Sequence, residues 1–451
     1  MTKYIRNFVT GHGISFEKSK RNMDAFDKAS RIWPEIASKI ELDGRSVVIV
    51  CGAKNNGKSS FLRYLLNSYV GRKSRKSRQI ENNEDFEMVD GHDNGTLIGR
   101  DDKQENYAYY VDYDPGQCEM TAPGVVSAHI IRASSPPLTS PSYLNLGQHE
   151  LLLMASVGGL NMSVNPRMYI KNARYIFNEV KRHRDSQSIK KPIFINTMGH
   201  IRNVGLAMLT DLIKICQPTD LVVLNVETDP MRTIYADLGP SAVDSTSASF
   251  YYDTNQRAHH KLDYKYHLYN LGFSFVESTS IATKNRTALQ LAYIASITEA
   301  LYKPIMQVST RWISMEKVSI HAVSSYPLKE GIVLELLIHS WVHLVRLKRP
   351  VLLDDQTDQA QEQQPGYSRN ETSVIHAEEA SDPVTRRPII KILDEVNENT
   401  LYGCGIVADI DIDRRLISVI TPLDQDIIDR EVDCLIKPLS IQVPPEMFTG
   451  N

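Results

Sequence analysis

Between Ser46 and Val70 the chain passes from a β-branched run through a glycine-bearing turn into an apolar stripe at helical spacing. Ser46-Val47-Val48-Ile49-Val50-Cys51 is a short, nearly continuous apolar run, the kind found in a parallel strand buried on both faces. After the turn, Ser59 to Val70 places Phe61, Leu62, Leu65, Leu66 and Tyr69 on one helical face. The turn itself, Gly52-Ala53-Lys54-Asn55-Asn56-Gly57-Lys58-Ser59, satisfies G-x-x-x-x-G-K-[ST] in full. Glycines let backbone N–H groups close around phosphate oxygens, and the helix that follows points its positive end at the same anion. In that reading Lys58 reaches the β- and γ-phosphates and the Ser59 hydroxyl binds Mg²⁺, with Ser60 continuing the loop into the helix. A chance match in a turn lacks the flanking strand and helix that this match has.

A chain of 451 residues is long enough for more than one hydrophobic core, because single cores stop growing at roughly 250 to 300 residues. Strand-like runs at Tyr107 to Val111, Leu151 to Met154, Ile193 to Ile195 and Leu221 to Val226 alternate with helical patterns at Pro166 to Arg182 and Val204 to Cys216. That alternation predicts an α/β fold, a P-loop NTPase-like, mostly parallel sheet flanked by helices. A helix is also expected at 22 to 40, broken or kinked at Pro34, and another from Thr287 to Tyr302. Leu401 to Val407 and Leu416 to Thr421 flank a turn at Asp411 to Arg415, which predicts a hairpin in a smaller β-rich C-terminal domain. The expected division is an N-terminal extension and leading helix at 1–40, a P-loop domain at 41–303, and the β-rich domain at 304–451. Residues 71–106, basic then acidic and Asn/Gly-rich, read as an exposed insertion, and the polar, Gln-rich 354–383 as disordered.

Bulk composition narrows the class. A hydrophobic fraction of 42% and a charged fraction of 23% are ordinary for a soluble chain. No apolar run approaches the roughly 18 residues that span a bilayer, so no membrane association is expected. Cys51, Cys118, Cys216, Cys404 and Cys434 are scattered, without a C-x-x-C pair, and read as reduced thiols of an intracellular protein. With a formal net charge of −3, any polyanion binding has to come from local basic patches.

The second half of a nucleotide site is an acidic group at the end of a neighbouring strand. Tyr107-Ala108-Tyr109-Tyr110-Val111-Asp112-Tyr113-Asp114-Pro115-Gly116-Gln117 supplies it, with Asp112 and Asp114 on one side of an extended chain. Taken alone, Asp-Pro-Gly also fits a plain turn. Leu224-Asn225-Val226-Glu227-Thr228-Asp229 is only a distant echo of a GTPase base-recognition motif, lacking its Lys. The further arginines of a motor ATPase are not identifiable.

Three segments resemble the polynucleotide 5′-hydroxyl kinases of RNA processing, most of all the nucleolar branch that works with a Las-type endonuclease on pre-ribosomal RNA. They are Val50 to Leu65, Asp112 to Gly124 with D-x-D-x-G-Q followed by E-x-T-x-P-G, and Ile195-Asn196-Thr197-Met198-Gly199-His200. Weaker similarity continues through Val407 to Pro422. The resemblance implies ATP and Mg²⁺ as cofactors, RNA with a 5′-hydroxyl end as substrate, a Las-type partner, and a place in the nucleus and nucleolus. It implies Asp114 as the general base, Asp112 and Gln117 near the metal and its waters, and Asn196, Thr197 and Gly199 on the acceptor side. It also places Lys284-Asn285-Arg286 in a lid whose arginines cover the transferring phosphoryl group. This chain departs from the family by having His200 where a Trp is common, and Arg286 as the one lid arginine placed. About fifty residues precede the P-loop, against a substantial β-rich N-terminal domain in relatives. The incomplete lid keeps open a second function, a nucleotide-binding scaffold subunit of an RNA-processing complex whose kinase activity has weakened. A small-molecule kinase or GTPase is a third.

His339 and His343 (H-S-W-V-H) stand four apart and are expected on a half-buried helical face rather than on zinc, since the Glu of H-E-x-x-H is missing. The basic run Arg72, Lys73, Arg75, Lys76 and Arg78 reads equally as a solvated loop, a nuclear address or a phosphate-backbone contact.

Overall fold

The computed structural model describes residues 32–40, 42–83, 105–225, 234, 236–245, 265–272, 281–297, 300, 303–324, 329–348, 390–396 and 398–449. Residues 1–31, the polar stretch 354–383 and the later part of the predicted insertion, 84–104, lie outside them.

The first sheet has seven strands: β1 (Val47–Gly52), β2 (Tyr107–Tyr113), β3 (Val125–Arg132), β4 (Glu150–Ser156), β5 (Ile193–Thr197), β6 (Asp220–Asn225) and β7 (His267–Gly272). Their order is β4-β3-β2-β5-β1-β6-β7. The run β2-β5-β1-β6-β7 is parallel throughout. The antiparallel partners β3 and β4 close one edge. Because both faces are covered, β1, β2, β5 and β6 are buried at every position. One face, with Ile49, Cys51, Val111, Tyr113 and Ile195, packs on α2 (Pro166–Ser186) and α3 (Val204–Cys216). The other, with Val48, Val50, Tyr110, Phe194 and Val222, packs on the Phe61, Leu62, Leu65, Leu66 stripe of α1 (Lys58–Asn83). The fold class predicted from the alternation of elements is thus the one observed.

The differences are local. Helix α1 runs on to Asn83, so the basic run 72–78 continues a helix instead of opening a loop. The described part of the leading helix is 32–39, and Pro34 lies within it. The predicted helix at Thr287 to Tyr302 starts earlier and stops at Ala295; with the short α4 (Pro240–Ser245) counted, it is α5 (Ile281–Ala295).

The second sheet, also of seven strands, comprises β8 (Arg311–Ser314), β9 (Ser319–Ala322), β10 (Trp341–Leu347), β11 (Lys391–Ile392), β12 (Asn399–Asp411), β13 (Leu416–Ile420) and β14 (Cys434–Lys437). Its order is β11-β9-β14-β10-β12-β13-β8, mixed in direction. The predicted hairpin is β12–β13, paired from Ile406↔Ile420 to Asp411↔Leu416. One face of this sheet joins Trp341, Cys404, Ile406 and Ile436 to Leu291 and Ile294 of α5 and to Ala122, Val125 and Met168 of the first unit. The predicted helical placement of His339 and His343 is overturned. Helix α6 (Glu330–Leu337) ends before His339, which turns the chain with φ 58°, and His343 lies inside β10. An extended chain rising about 3.3 Å per residue keeps two such side chains from sharing an ion. All five cysteines are buried free thiols. Among the described residues no helix is long and apolar enough to cross a membrane.

Candidate nucleotide and phosphoryl-transfer site

The phosphate loop leaves the C-terminal end of β1. Gly52 has φ 144°, and a Cβ there would come within 2.3 Å of the Leu224 carbonyl oxygen on β6, so only glycine fits. Buried Asn56 donates through Nδ2 to the same Leu224 oxygen at 2.8 Å, tying the loop crest to β6. The Lys54 N–H donates to Gly199 O at 3.1 Å, fastening the loop to the chain leaving β5. Lys58 opens α1 and is itself buried, its ammonium donating to Ala53 O at 3.1 Å. Lys54 and Ser60 are exposed, while Asn55, Gly57 and Ser59 are half-buried. The first turn of α1 carries no acidic residue, so nothing opposes an anion at its N-terminus.

The acidic segment leaves β2, one strand beyond β5. Asp112 is buried, and both of its carboxylate oxygens accept hydrogen bonds. Oδ1 accepts from the Asp114 N–H at 3.1 Å and Asn196 Nδ2 at 3.0 Å, and Oδ2 accepts from the Glu119 N–H at 2.8 Å. Burial and the neighbouring Asp114 nevertheless push it up to about 7. Asp114 caps the following turn, Oδ1 accepting from the N–H groups of Gly116 at 3.0 Å and Gln117 at 3.1 Å. Burial raises its pKa above the usual carboxylate range, while the Lys58 ammonium, those two N–H groups and the Lys54 ammonium pull it back. The Asp114 carboxylate therefore sits in the field of the phosphate-loop lysines.

Arg286, in the first part of α5, reaches the same turn: Nη1 donates to Gly116 O at 3.4 Å and Nη2 to Thr283 Oγ1 at 3.0 Å. Burial lowers its pKa, and the Asp114 carboxylate acts against that. Lys58, Asp114 and Arg286 thus meet at the carboxyl ends of β1 and β2, the side of an open α/β sheet where ligands bind.

The third segment is placed more deeply than its sequence announces. Asn196 faces Asp112 across the β2–β5 pairing and is fully buried. Thr197 is equally buried, its hydroxyl donating to Val50 O at 2.9 Å. Gly199 lies against the phosphate loop, where a Cβ would meet Lys54 Cα and N at 2.7 Å. Of these residues His200 alone is exposed. Gln117 is half-buried on the Asp114 turn.

Sequence reasoning assigned no role to the ion pair that fixes α1 against this site. Arg63 Nε and Nη2 donate to the two oxygens of Glu119 at 2.6 and 3.0 Å, and Asn145 Nδ2 donates to Glu119 Oε1 at 2.9 Å. Glu119 is 1% exposed, so the pair is a desolvated one. Its signal was present: Arg63 interrupts the flank of an otherwise apolar stripe, and Glu119 is the acidic member of E-x-T-x-P-G.

A divalent cation fits the donor set. Ser59 presents a half-buried hydroxyl at the loop's end. Asp112, held by three N–H donors, is suited to a metal-bound water, and the adjacent buried Asn196 Oδ1 has no partner and is an acceptor for one.

Residues 97–246 match the family model of the mRNA cleavage and polyadenylation factor CLP1 P-loop, a range that begins beyond Gly52–Ser59. Polynucleotide 5′-hydroxyl-kinase NOL9 of Bos taurus is 29% identical over 235 residues, 51% of this chain and 27% of that protein. Polynucleotide 5′-hydroxyl-kinase grc3 of Schizosaccharomyces pombe is 28% identical over 184 residues, 40% of this chain and 20% of that protein. The chain therefore spans about a quarter of the length of the curated relatives it matches. Among solved structures, Clp1p in its interface with Pcf11p superposes with a TM-score of 0.51 at 14% identity, covering 93% of this chain and 79% of that one, a likeness of fold. The resemblance read from the three sequence segments is borne out.

Proposed function

We propose that this chain, with its CLP1 P-loop domain and its similarity to NOL9 and grc3, is an ATP-dependent polynucleotide 5′-hydroxyl kinase that phosphorylates RNA ends. One observation carries the reading: a buried carboxylate, Asp114, lies in the field of the phosphate-loop lysines with a guanidinium, Arg286, on its own turn. In-line transfer uses that arrangement directly. Lys58 and the loop amides hold the β- and γ-phosphates, and Asp114 accepts the proton of the ribose 5′-hydroxyl as that oxygen attacks the γ-phosphorus. Arg286 faces the charge that grows on the equatorial oxygens, and the leaving group is ADP. Ser59 and Asp112, the latter beside Asn196, would hold Mg²⁺, which would neutralise phosphate charge. On the acceptor side the exposed His200 imidazole is placed to meet an incoming base, with the fully buried Asn196 and Thr197 supporting it from beneath.

The same proposal takes 41–303 as the kinase unit and 304–451 as the smaller β-rich unit. It places the protein in the nucleolus, in pre-ribosomal RNA processing beside a Las-type endonuclease, a placement supported by the NOL9 and grc3 similarity alone. The test is transfer of labelled γ-phosphate from ATP to RNA and DNA oligonucleotides bearing 5′-hydroxyl ends. Lys58→Ala and Asp114→Asn are each expected to lower kcat by at least about a hundredfold. Undiminished transfer by either removes the mechanism. Nucleotide binding without any transfer by the wild type instead supports the scaffold reading, which the lone placed lid arginine favours.

A further inference from the structure

His343 is fully buried in the middle of β10, between Cys404 of β12 and Ile436 of β14. A core position in a sheet is ordinarily apolar, and burial drives this imidazole's pKa down to about 4, so its presence asks for a contact that an aliphatic side chain cannot make. Contacts on two sides of the ring answer that. On one side Nδ1 lies 2.7 Å from Ser156 Oγ, the last residue of β4 in the first sheet. On the other, the ring edge abuts Gly124, where an added Cβ would come within 3.1 Å of His343 Cε1 and 2.4 Å of Ile441 Cδ1. Gly124 is not a free loop residue. Its N–H donates to Pro115 O at 2.9 Å and its carbonyl accepts from the Val157 N–H at 3.1 Å. Pro115 directly follows Asp114, so imidazole, Gly124, Pro115 and Asp114 form one continuous column from the second sheet to the carboxylate.

The same strands hold α5. The Cys404 N–H, on the cross-strand neighbour of His343, donates to Tyr293 Oη at 2.8 Å. Gln290 Nε2 donates to Gln442 O at 3.0 Å, next to Ile441. Arg286 lies one helical turn before Gln290. The second sheet therefore reaches the Asp114 turn through His343 and the Arg286 helix through Tyr293, and the chain beyond β14 reaches that helix again through Gln290.

We propose that the second sheet is a frame setting the spacing between Asp114 and Arg286, and that His343 is its positioning residue, bracing the Pro115–Gly124 closure of the Asp114 turn. The proposal deepens the kinase reading and rests on it. It is tested with the full chain carrying His343→Asn, which keeps a polar group near Nδ1 for Ser156 but removes the edge that meets Gly124. Gly124→Ala, which disturbs the same contact from the loop side, is the second variant.

A small displacement of a general base is expensive, so each variant is expected to lower kcat about tenfold to a hundredfold. KM for ATP stays within about twofold, because the phosphate loop is untouched. In an Asp114→Asn background His343→Asn causes no further loss, since its effect passes through that carboxylate. Hydrogen exchange gives a readout that needs no activity: the amides of Gly116 and Gln117 lose at least about tenfold protection, while those of 47–66 keep theirs. An unchanged kcat, an equal loss in the Asp114→Asn background, or unchanged protection of Gly116 and Gln117 each overturns the proposal. A wild type that transfers nothing removes the kinase reading, and the exchange measurement still decides whether His343 braces the turn.

Discussion

Gly199 shows what one missing Cβ does in this site. Its carbonyl takes the Lys54 N–H, and a methyl group on its Cα would stand 2.7 Å from the Lys54 backbone, so Gly199→Ala has to push the phosphate loop outward. ATP affinity, followed by calorimetry, is expected to fall at least about tenfold with the melting temperature little changed, because the loss of a close backbone approach is local. His129 makes a different kind of prediction. It is buried on β3 with Nδ1 unpartnered, opposite Tyr110 and near His149, and burial together with His149 depresses its pKa to about 3. A histidine whose folded pKa lies below its unfolded value contributes stability that is whole above about pH 6.5 and drains away as pH falls toward the folded value. His129→Leu removes no hydrogen bond from Nδ1 and is expected to change stability little at pH 7. Below pH 6.5 the wild type should lose ground to it by up to about 1.4 kcal/mol per pH unit, read from urea midpoints at pH 7, 6 and 5. Parallel midpoint curves for the two proteins would rule this account out.

At the scale of elements, the junction of α1 with the loop after β2 depends on Arg63 and Glu119. Glu119→Ala leaves a guanidinium in a desolvated place whose remaining side-chain hydrogen bond among the described residues is to Ser142 Oγ, at 3.5 Å, and is expected to cost about 3 to 5 kcal/mol in urea unfolding. Glu119→Gln, which keeps an acceptor for Arg63 and Asn145, is expected to cost less than half of that. A cost below about 1 kcal/mol for Glu119→Ala would mean the pair is solvated in solution. Such junctions mark where the sequence stops being readable. β1, β5 and β6 were legible because strands buried on both faces must be apolar without a break, and α2 and α3 because their stripes recur at helical spacing. β3 was not, because Val125 to Arg132 mixes Ser127 and His129 into its run, and only pairing with β2 makes it a strand. The four-residue strands β8, β9 and β14 carry too few positions for a period to show, and their conformation comes from partners far along the chain. His343 was misassigned for the same reason: the helical pattern of α6 runs into H-S-W-V-H without punctuation, and the break at His339 is a backbone event that no Gly or Pro announces. Within the candidate site, the loop and the acidic turn were legible as local motifs. The buried placement of Asn196 and Thr197 was not, since it depends on β5 lying between β1 and β2.

At the scale of the whole molecule, the two sheets are joined by polar groups inside an apolar contact, and Asn399 is at their centre. It is fully buried at the start of β12, and its side chain mimics a strand partner for β4. Oδ1 accepts from the Ser156 N–H at 2.9 Å and Nδ2 donates to Ser156 O at 3.1 Å, while its own N–H donates to Asn172 Oδ1 at 2.9 Å. One amide thus satisfies both backbone groups at the end of an edge strand, and Asn172 closes the ring by donating to Ser156 O at 3.2 Å. Asn399→Ala deprives the Ser156 N–H of its partner and its carbonyl of one of two, where each orphaned buried group costs roughly 1 to 3 kcal/mol. The apolar groups around it are untouched, so each sheet keeps its own core and what weakens is the coupling between them. Calorimetry of Asn399→Ala is therefore expected to show the unfolding endotherm broadened or split, its van't Hoff enthalpy falling below the calorimetric one, with the wild type closer to a single transition. Because His343 meets the same Ser156, uncoupling the sheets should also slow phosphoryl transfer without weakening ATP binding. A variant that melts as one cooperative unit and transfers at the wild-type rate would show that the apolar contact alone holds the two sheets in register.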